Sequence, residues 1–503
     1  MQNHPLLLCL DLGTSACKGA LVDAQGRAVE AARESYSLIY EPNGWIEQEP
    51  EVLWAAVGRV IAKLAAVAGA RVAALGFSAQ ISSHLLAAAD GTPLTRFISW
   101  ADRRTETESR ELAGAFSGEE LAAAWGVRLS PGPSWPLPKL KWWRRHMPMV
   151  LDEARYLLQP KDWILGRLCG AWVSDLSSMR GLRHQESGEI SPKLAEWAGF
   201  NPGIVPDVAA PDSIAGKLRS SLAREWNLPP DLPVVVGWND LAAGVFGCTG
   251  LPECAIGFDL TGTSEHLGIV GPRFAKAGAA FALSEIPFGP GRWARYGVTS
   301  SSGRVLQWYW EQFRQEPPGS YGELEEEAAA IAPGAGGLIL LPCLDGERAP
   351  WFNSHARGAF YGISAAHTPA HFSRAALEGI VFTLRSIQKR LELPGAEQQP
   401  SEFRVAGGGS AMAVWNQMKA DILETPVTTL ESGEAGCLGA AILAAKALGW
   451  YPSWSAAAKE MIRTARTFEP NAQLTPYYEQ QHAVFEKLYS ALEPLFEGQA
   501  IPG

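Results

Sequence analysis

Clustered basic charge is missing from this sequence. The net charge is −10 over 503 residues, with no sustained run of Lys and Arg. Binding to a phosphate backbone needs such clusters, which argues against nucleic acid as the main partner. Long apolar runs are missing as well, and none approaches a membrane span. The first residues lack the basic region and cleavage site of a signal peptide. The seven cysteines are scattered, with no C-x-x-C pair. Six (Cys9, Cys17, Cys248, Cys254, Cys343, Cys437) sit among apolar or small residues, which reads as reduced core thiols in a cytoplasmic protein. There is no H-E-x-x-H; His367 and His371 are four apart, but Pro369 lies between them, so no zinc site is expected. No Walker loop, no G-x-S-x-G elbow and no kinase H-R-D pattern occur. Low-complexity tracts and short-period repeats are also absent.

What remains is a well-packed globular chain, 47% hydrophobic and 19% charged. Its length exceeds one ordinary core, so two domains are expected. Two similar stretches mark them. LLLCLDLGTSACK at Leu6–Lys18 and CAIGFDLTGTSE at Cys254–Glu265 each read as an apolar strand, an Asp, then a Gly-Thr-Ser turn. Such turns can cradle phosphates: backbone N–H groups converge, glycine permits close approach, and hydroxyls add donors. One such turn is common in ordinary hairpins. Here Asp11, Gly13, Thr14 and Ser15 have counterparts in Asp259, Gly262, Thr263 and Ser264, 248 residues on. The spacing reads as an internal duplication, two halves facing one nucleotide. Lys18 could reach a terminal phosphate or be a surface lysine.

Between the two turns lies VVVGWNDLAAGVFGCTG, a buried strand followed by Asp240 and a small-residue helix. A carboxylate at a strand's carboxyl end, opening a helix, is where α/β folds place chemistry. Asp is also a common helix N-cap, and the two roles are compatible. Gly407–Gly409, between a strand and a helix, could let a purine and ribose lie on the backbone, or could be only a tight turn. Around these landmarks the pattern predicts a β-meander over the first 37 residues, a helix from Pro50 to Val67, and a strand at Arg71–Ser78. It predicts a hinge or inserted loop at Pro131–Pro138 and a helix over Val150–Gly170. A terminal helix is expected over Pro476–Leu492, with Pro494 just past its end. Lys139–His146, KLKWWRRH, reads as a helix with a solvated face, or as a rim that offers Lys139 to a substrate.

Together these residues resemble the FGGY carbohydrate kinases, of the actin–hexokinase–chaperone ATPase superfamily. The resemblance runs from Asp11 to Leu448. It is carried by D-L-G-T-S-x-x-K at Asp11–Lys18, G-W-x-E-Q-x-P at Gly44–Pro50 and P-x-x-K-L-x-W at Pro136–Trp142. G-x-F-x-G-I at Gly358–Ile363, with H-F-x-x-A-A-L-E at His371–Glu378, fits the second family signature. G-G-G-S-x-x-x-x-W-N-Q at Gly407–Gln417 resembles an adenosine motif. It implies an α/β fold of two ribonuclease-H-like domains with a cleft between them. Residues 1–247 would bind the sugar and 248–503 the ATP. Asp240 would be the catalytic base. Thr14 and Thr263 would hold phosphate oxygens, with Gly303, Ser410 and Asn416 on the nucleotide side. Mg²⁺ would reach Asp11 through water. The sugar would meet Gln80, Ile81, Ser82, Ser83, Trp100, Asp102, Arg103, Lys139 and Asp240. The resemblance favours a pentulose, D-xylulose ahead of another ketose, polyol or sugar acid. Ser82 stands where xylulose-specific members carry histidine. A homodimer is implied by the family. A nucleotide-driven switch is the rival class, and it lacks the sugar signatures.

Overall fold

The computed structural model describes residues 4–272, 283–289, 291–314, 321–391 and 399–496. Two compact units form, Met1–Gly250 with Glu434–Arg463, and Leu251–Gly433 with Thr464–Gly503. The sequence division after residue 247 therefore misses one excursion, because Glu434–Arg463 lies with the first unit. The reason is a close helix contact. Helix Ala435–Ala447 packs on helix Asp240–Thr249 and on strands Leu6–Leu12 and Val72–Ala79. A Cβ on Gly439 would lie 2.0 Å from the Ala243 carbonyl, and one on Gly247 would lie 2.1 Å from that of Ala435. The small-residue helices of the sequence are thus a backbone-to-backbone interface. Gly439→Ala is expected to destabilise the first unit by about 1–3 kcal/mol through overpacking. A urea midpoint equal to that of the parent would show that the helices can separate at no cost.

Each unit is built on a seven-stranded mixed sheet. In the first, Ala28–Ser35, Ala16–Val22 and Leu6–Leu12 form an antiparallel meander. Val72–Ala79 and Pro233–Val235 extend it in parallel, and Ile214–Lys217 closes the edge antiparallel. In the second, Trp293–Thr299, Glu265–Gly271 and Ile256–Thr261 form the meander. Phe403–Gly407 and Val427–Leu430 follow in parallel, and Thr464–Phe468 runs antiparallel at the edge. Ser284–Pro287 adds an outer strand. The two sheets repeat one sequence of pairings, as the duplicated Asp and Gly-Thr-Ser stretches led one to expect. A hydrophobic core fills each unit.

Local readings differ in four places. Pro136–Pro138 opens a helix, Pro136–His146, because proline suits a first helical turn. Val150–Gly170 is two helices separated by strand Tyr156–Leu158. The terminal helix, Thr475–Phe496, runs through Pro494. Cys254 is exposed. Among the described residues one helical span, Pro50–Arg71, is long and apolar enough to cross a membrane by length and composition. The charges at Glu51, Arg59 and Lys63 interrupt it in sequence. In the fold Leu53, Val57, Val60, Ile61 and Leu64 are buried on the meander, which is the pattern of an amphipathic core helix.

Candidate active site

Asp240 is the first residue of helix Asp240–Thr249. The helix is capped one residue earlier, by Asn239, whose Oδ1 accepts the Ala242 N–H at 2.9 Å. Asn239 Nδ2 donates to Ser177 Oγ at 2.6 Å, which ties this helix start to the Leu176–Met179 turn. Capping duty therefore falls on Asn239. Asp240 Oδ1 accepts the Leu241 N–H at 2.8 Å. Burial and the nearby Asp11 charge push the Asp240 carboxyl up to about 7, against the pull of Leu241 N–H and Arg180. A carboxylate poised near neutrality can take a proton from a weak nucleophile and later release it. Arg180 had no signature in the sequence; it lies in the loop after Trp172–Ser178 and is buried.

The first turn brings its residues together. Asp11 ends a strand beside Ser78, whose hydroxyl donates to Asp11 Oδ1 at 2.7 Å. Burial raises the Asp11 carboxyl, while Ser78 and Lys18 oppose the rise. A Cβ on Gly436 would lie 2.8 Å from the Asp11 carboxylate, so helix Ala435–Ala447 starts directly over it. Gly13 N–H closes the turn on the Ala16 carbonyl, and Tyr36 Oη donates to the Gly13 carbonyl at 2.6 Å. Ser15 is exposed, and its carbonyl accepts the Tyr36 N–H. Thr14 Oγ1 accepts the Trp100 indole N–H at 2.8 Å. Lys18 is paired with Glu434 at 2.8 Å. Burial works against its charge, but Glu434 outweighs it and the ammonium is raised.

The expected sugar loop is also assembled, with several side chains already committed. Gln80 Nε2 donates to Gln48 Oε1 at 2.7 Å, and Ser83 Oγ donates to Gln80 Oε1 at 3.4 Å. Ile81 is half-buried. Ser82 adopts φ 66°, and its N–H donates to Gln159 Oε1 at 2.9 Å. Lys139 is no rim residue. It is fully buried, and its Nζ donates to the carbonyls of Ser82 (2.5 Å), Ile98 (2.9 Å) and Ser99 (3.1 Å). Burial pushes this ammonium down to about 7, with Asp102 opposing. Asp102 is likewise saturated, accepting Ile46 N–H and the Arg104 backbone and guanidinium. Arg103 is exposed and pairs with Glu106. Trp100 is exposed.

In the second unit Gly262 and Thr263 are exposed at the turn, with Ser264 half-buried. The carbonyls of Gly262 and Thr263 accept the N–H groups of Gly303 (3.0 Å) and Arg304 (3.1 Å). A Cβ on Gly303 would lie 2.5 Å from the Gly262 carbonyl, so Gly303 is needed for this approach. Gly407 has φ 92°, and a Cβ there would lie 2.0 Å from the Thr261 carbonyl. Gly408 stays exposed, and Gly409 N–H donates to Thr261 Oγ1 at 2.8 Å. Ser410 Oγ donates to the Gly407 carbonyl at 2.7 Å. Asn416 is fully buried, and its Nδ2 donates to the Ser410 carbonyl at 3.0 Å and the Gly409 carbonyl at 3.4 Å. The triple glycine is therefore an open backbone ledge, braced from beneath by Asn416.

Each unit ends a strand of its sheet in a Gly-Thr-Ser turn, and the first unit also holds the raised Asp240 carboxyl at a helix start. Comparison with known proteins gives the family. The N-terminal domain of the FGGY family of carbohydrate kinases matches residues 6–247 and its C-terminal domain matches residues 260–448, so the chain belongs to that family. A xylulose kinase of Staphylococcus epidermidis is 30% identical, over 97% of each chain. A gluconokinase of Bacillus subtilis is 27% identical, over 97% of this chain and 96% of its own. The solved structure of a ligand-bound xylulose kinase from Lactobacillus acidophilus superposes with a TM-score of 0.87 at 23% identity, over 97% and 98% of the two chains. The fold and the class, a carbohydrate kinase, follow from these matches.

Proposed function

We propose that this kinase transfers the γ-phosphate of ATP to a hydroxyl of D-xylulose, giving D-xylulose 5-phosphate, with Asp240 as general base. The observation that carries the base is the Asp240 carboxyl raised to about 7 at a capped helix start. The sugar hydroxyl is a poor nucleophile until its proton leaves. Asp240 takes that proton as the oxygen–phosphorus bond forms, and the bond to ADP breaks. A positioned base contributes about 10²–10⁴-fold. Positioning and charge neutralisation supply the rest. The first-turn and second-turn N–H groups hold phosphate oxygens, and the Gly407–Gly409 ledge receives the nucleoside.

The residues fit Mg²⁺, a hard cation that keeps water and takes phosphate oxygens with one or two carboxylates. Asp11 is a half-buried residue whose carboxylate accepts the Ser78 hydroxyl. Among the described residues no group of three His, Cys, Asp or Glu could hold a metal alone. Asp11 would therefore meet the ion through water, and the ion would neutralise phosphate charge. We place the enzyme in the cytoplasm, with a homodimer as its assembly.

The xylulose kinase relative supports the pentulose and the gluconokinase relative supports a sugar acid. ADP release with ATP and Mg²⁺ across ketoses, alditols and aldonic acids separates them. D-xylulose is expected to give the strongest signal. A dominant signal with gluconate would replace the pentulose and leave the carbohydrate-kinase class intact.

A further inference from the structure

The duplicated turns have diverged in what neutralises their aspartate. Asp11 lies opposite Ser78 on the neighbouring parallel strand, whereas Asp259 lies opposite Val405. Valine offers no donor. Lys419, from helix Ala413–Leu423, supplies the partner instead. Its Nζ lies 2.6 Å from Asp259 Oδ2 and 2.6 Å from Glu265 Oε1, and all three side chains are excluded from solvent. The ammonium also sits 4.1 Å from the centre of the Trp415 ring. Among the described residues no N–H or O–H group donates to Asp259 Oδ1. Two carboxylates and one ammonium are buried together. Burial and Glu265 push the Asp259 carboxyl well above the usual range, against the pull of Lys419.

The triad does not end there. Glu265 Oε2 accepts the Ser302 hydroxyl at 2.6 Å. Ser302 immediately precedes helix Gly303–Arg314, and its carbonyl accepts the Val305 N–H at 2.7 Å. The next two N–H groups, Gly303 and Arg304, hold the Gly262 and Thr263 carbonyls. A continuous path therefore runs from Lys419 through Glu265 and Ser302 to the turn backbone. Pinning both turn carbonyls on one side fixes how the turn's peptide planes are oriented. Helix Ala413–Leu423 also carries Asn416, the brace beneath Gly409 and Ser410.

We propose that Lys419, Glu265 and Ser302 are positioning residues that fix the Gly262–Thr263 turn relative to the triple-glycine ledge, and that Lys419 makes Asp259 a structural group that takes no cation. This rests on the reading of that turn as a nucleotide-phosphate holder. The two turns are then unequal. The first keeps a half-buried carboxylate for a metal–water shell, and the second, fully buried, replaces that shell with a fixed internal ammonium.

Ser302→Ala removes one hydroxyl and leaves the triad charges in place. It is expected to raise KM for ATP and Kd for Mg-ADP about tenfold by loosening a pre-organised site, with sugar KM unchanged. The Gly303 and Arg304 amides should exchange with deuterium at least tenfold faster in the ligand-free protein. Ser302→Thr should restore both. Lys419→Met alone strands two buried carboxylates and is expected to misfold. Lys419→Met with Glu265→Gln removes the charges in a balanced way, and should fold and show the same ATP defect. Wild-type Kd for Mg-ADP in Ser302→Ala and in the double variant, with unchanged amide exchange, would overturn the proposal. Faster exchange with unchanged nucleotide affinity would uphold the relay and remove the turn from the nucleotide site. Parent protein that binds no Mg-ADP would remove the nucleotide reading, with the exchange experiment still deciding the relay.

Discussion

Asp240→Asn should lower turnover by about 10³-fold while raising stability above neutral pH. Asparagine keeps the shape of the side chain and its acceptor for Leu241 N–H. It cannot take a proton from a hydroxyl, so the loss should fall on kcat, with Mg-ADP affinity unchanged. In the parent enzyme kcat/KM should fall tenfold per unit below about pH 7, because the base must be ionised and its carboxyl is raised to about 7. The stability effect has the opposite cost. An aspartate raised on folding binds a proton more tightly in the folded state. Between the unfolded value, 3.8, and about 7, stability therefore falls as pH rises. Asparagine escapes that fall. Its gain should be complete above pH 7 and absent below about pH 4, and amount to about 1–2 kcal/mol after discounting for partial exposure. Thermal melts at pH 4 and pH 8 read it. Retained turnover would take the base role from Asp240, and a melting point unchanged at pH 8 would take away its buried charge.

The turns were readable in advance because they are local and occur twice. An apolar strand, an aspartate and a Gly-Thr-Ser turn need no tertiary partner to be seen, and the repeat of pairings in the two sheets follows from them. The placement of Asp240, after a strand and at the start of a helix, was local as well. Partners were not visible. Lys18 meets Glu434 across 416 residues, and Lys419 meets Asp259 across 160. No spacing in the chain encodes such meetings. The excursion of Glu434–Arg463 into the first unit was hidden too, since small-residue helices look alike whichever sheet they cover. Lys139 was misplaced because KLKWWRRH is basic, and basic helices are usually wet. Only the fold reveals that three carbonyls were waiting beneath the loop. Pro131–Pro138 shows the same limit on a local scale: prolines break helices within their span and begin them at their ends.

Lys139→Met should unseat the Gln80–Ser83 loop, proposed to meet the sugar, while leaving nucleotide handling alone. The ammonium spends one proton on each of three backbone carbonyls, Ser82, Ile98 and Ser99. Methionine fills much of the space and satisfies none of them. An unsatisfied buried acceptor costs about 1–3 kcal/mol, so the loss should be several kcal/mol, short of unfolding a unit whose other contacts remain. Ser82 feels the change most, since it sits at φ 66° and relies on Lys139 and Gln159 to stay there. Sugar KM should rise at least tenfold and KM for ATP should hold. Only the ammonium has three protons for three carbonyls. Burial lowers it to about 7, so parent sugar KM should rise as pH climbs past 7. In Lys139→Met it should be flat with pH and high throughout. A variant that melts lower yet keeps the parent's sugar KM would confine Lys139 to stability.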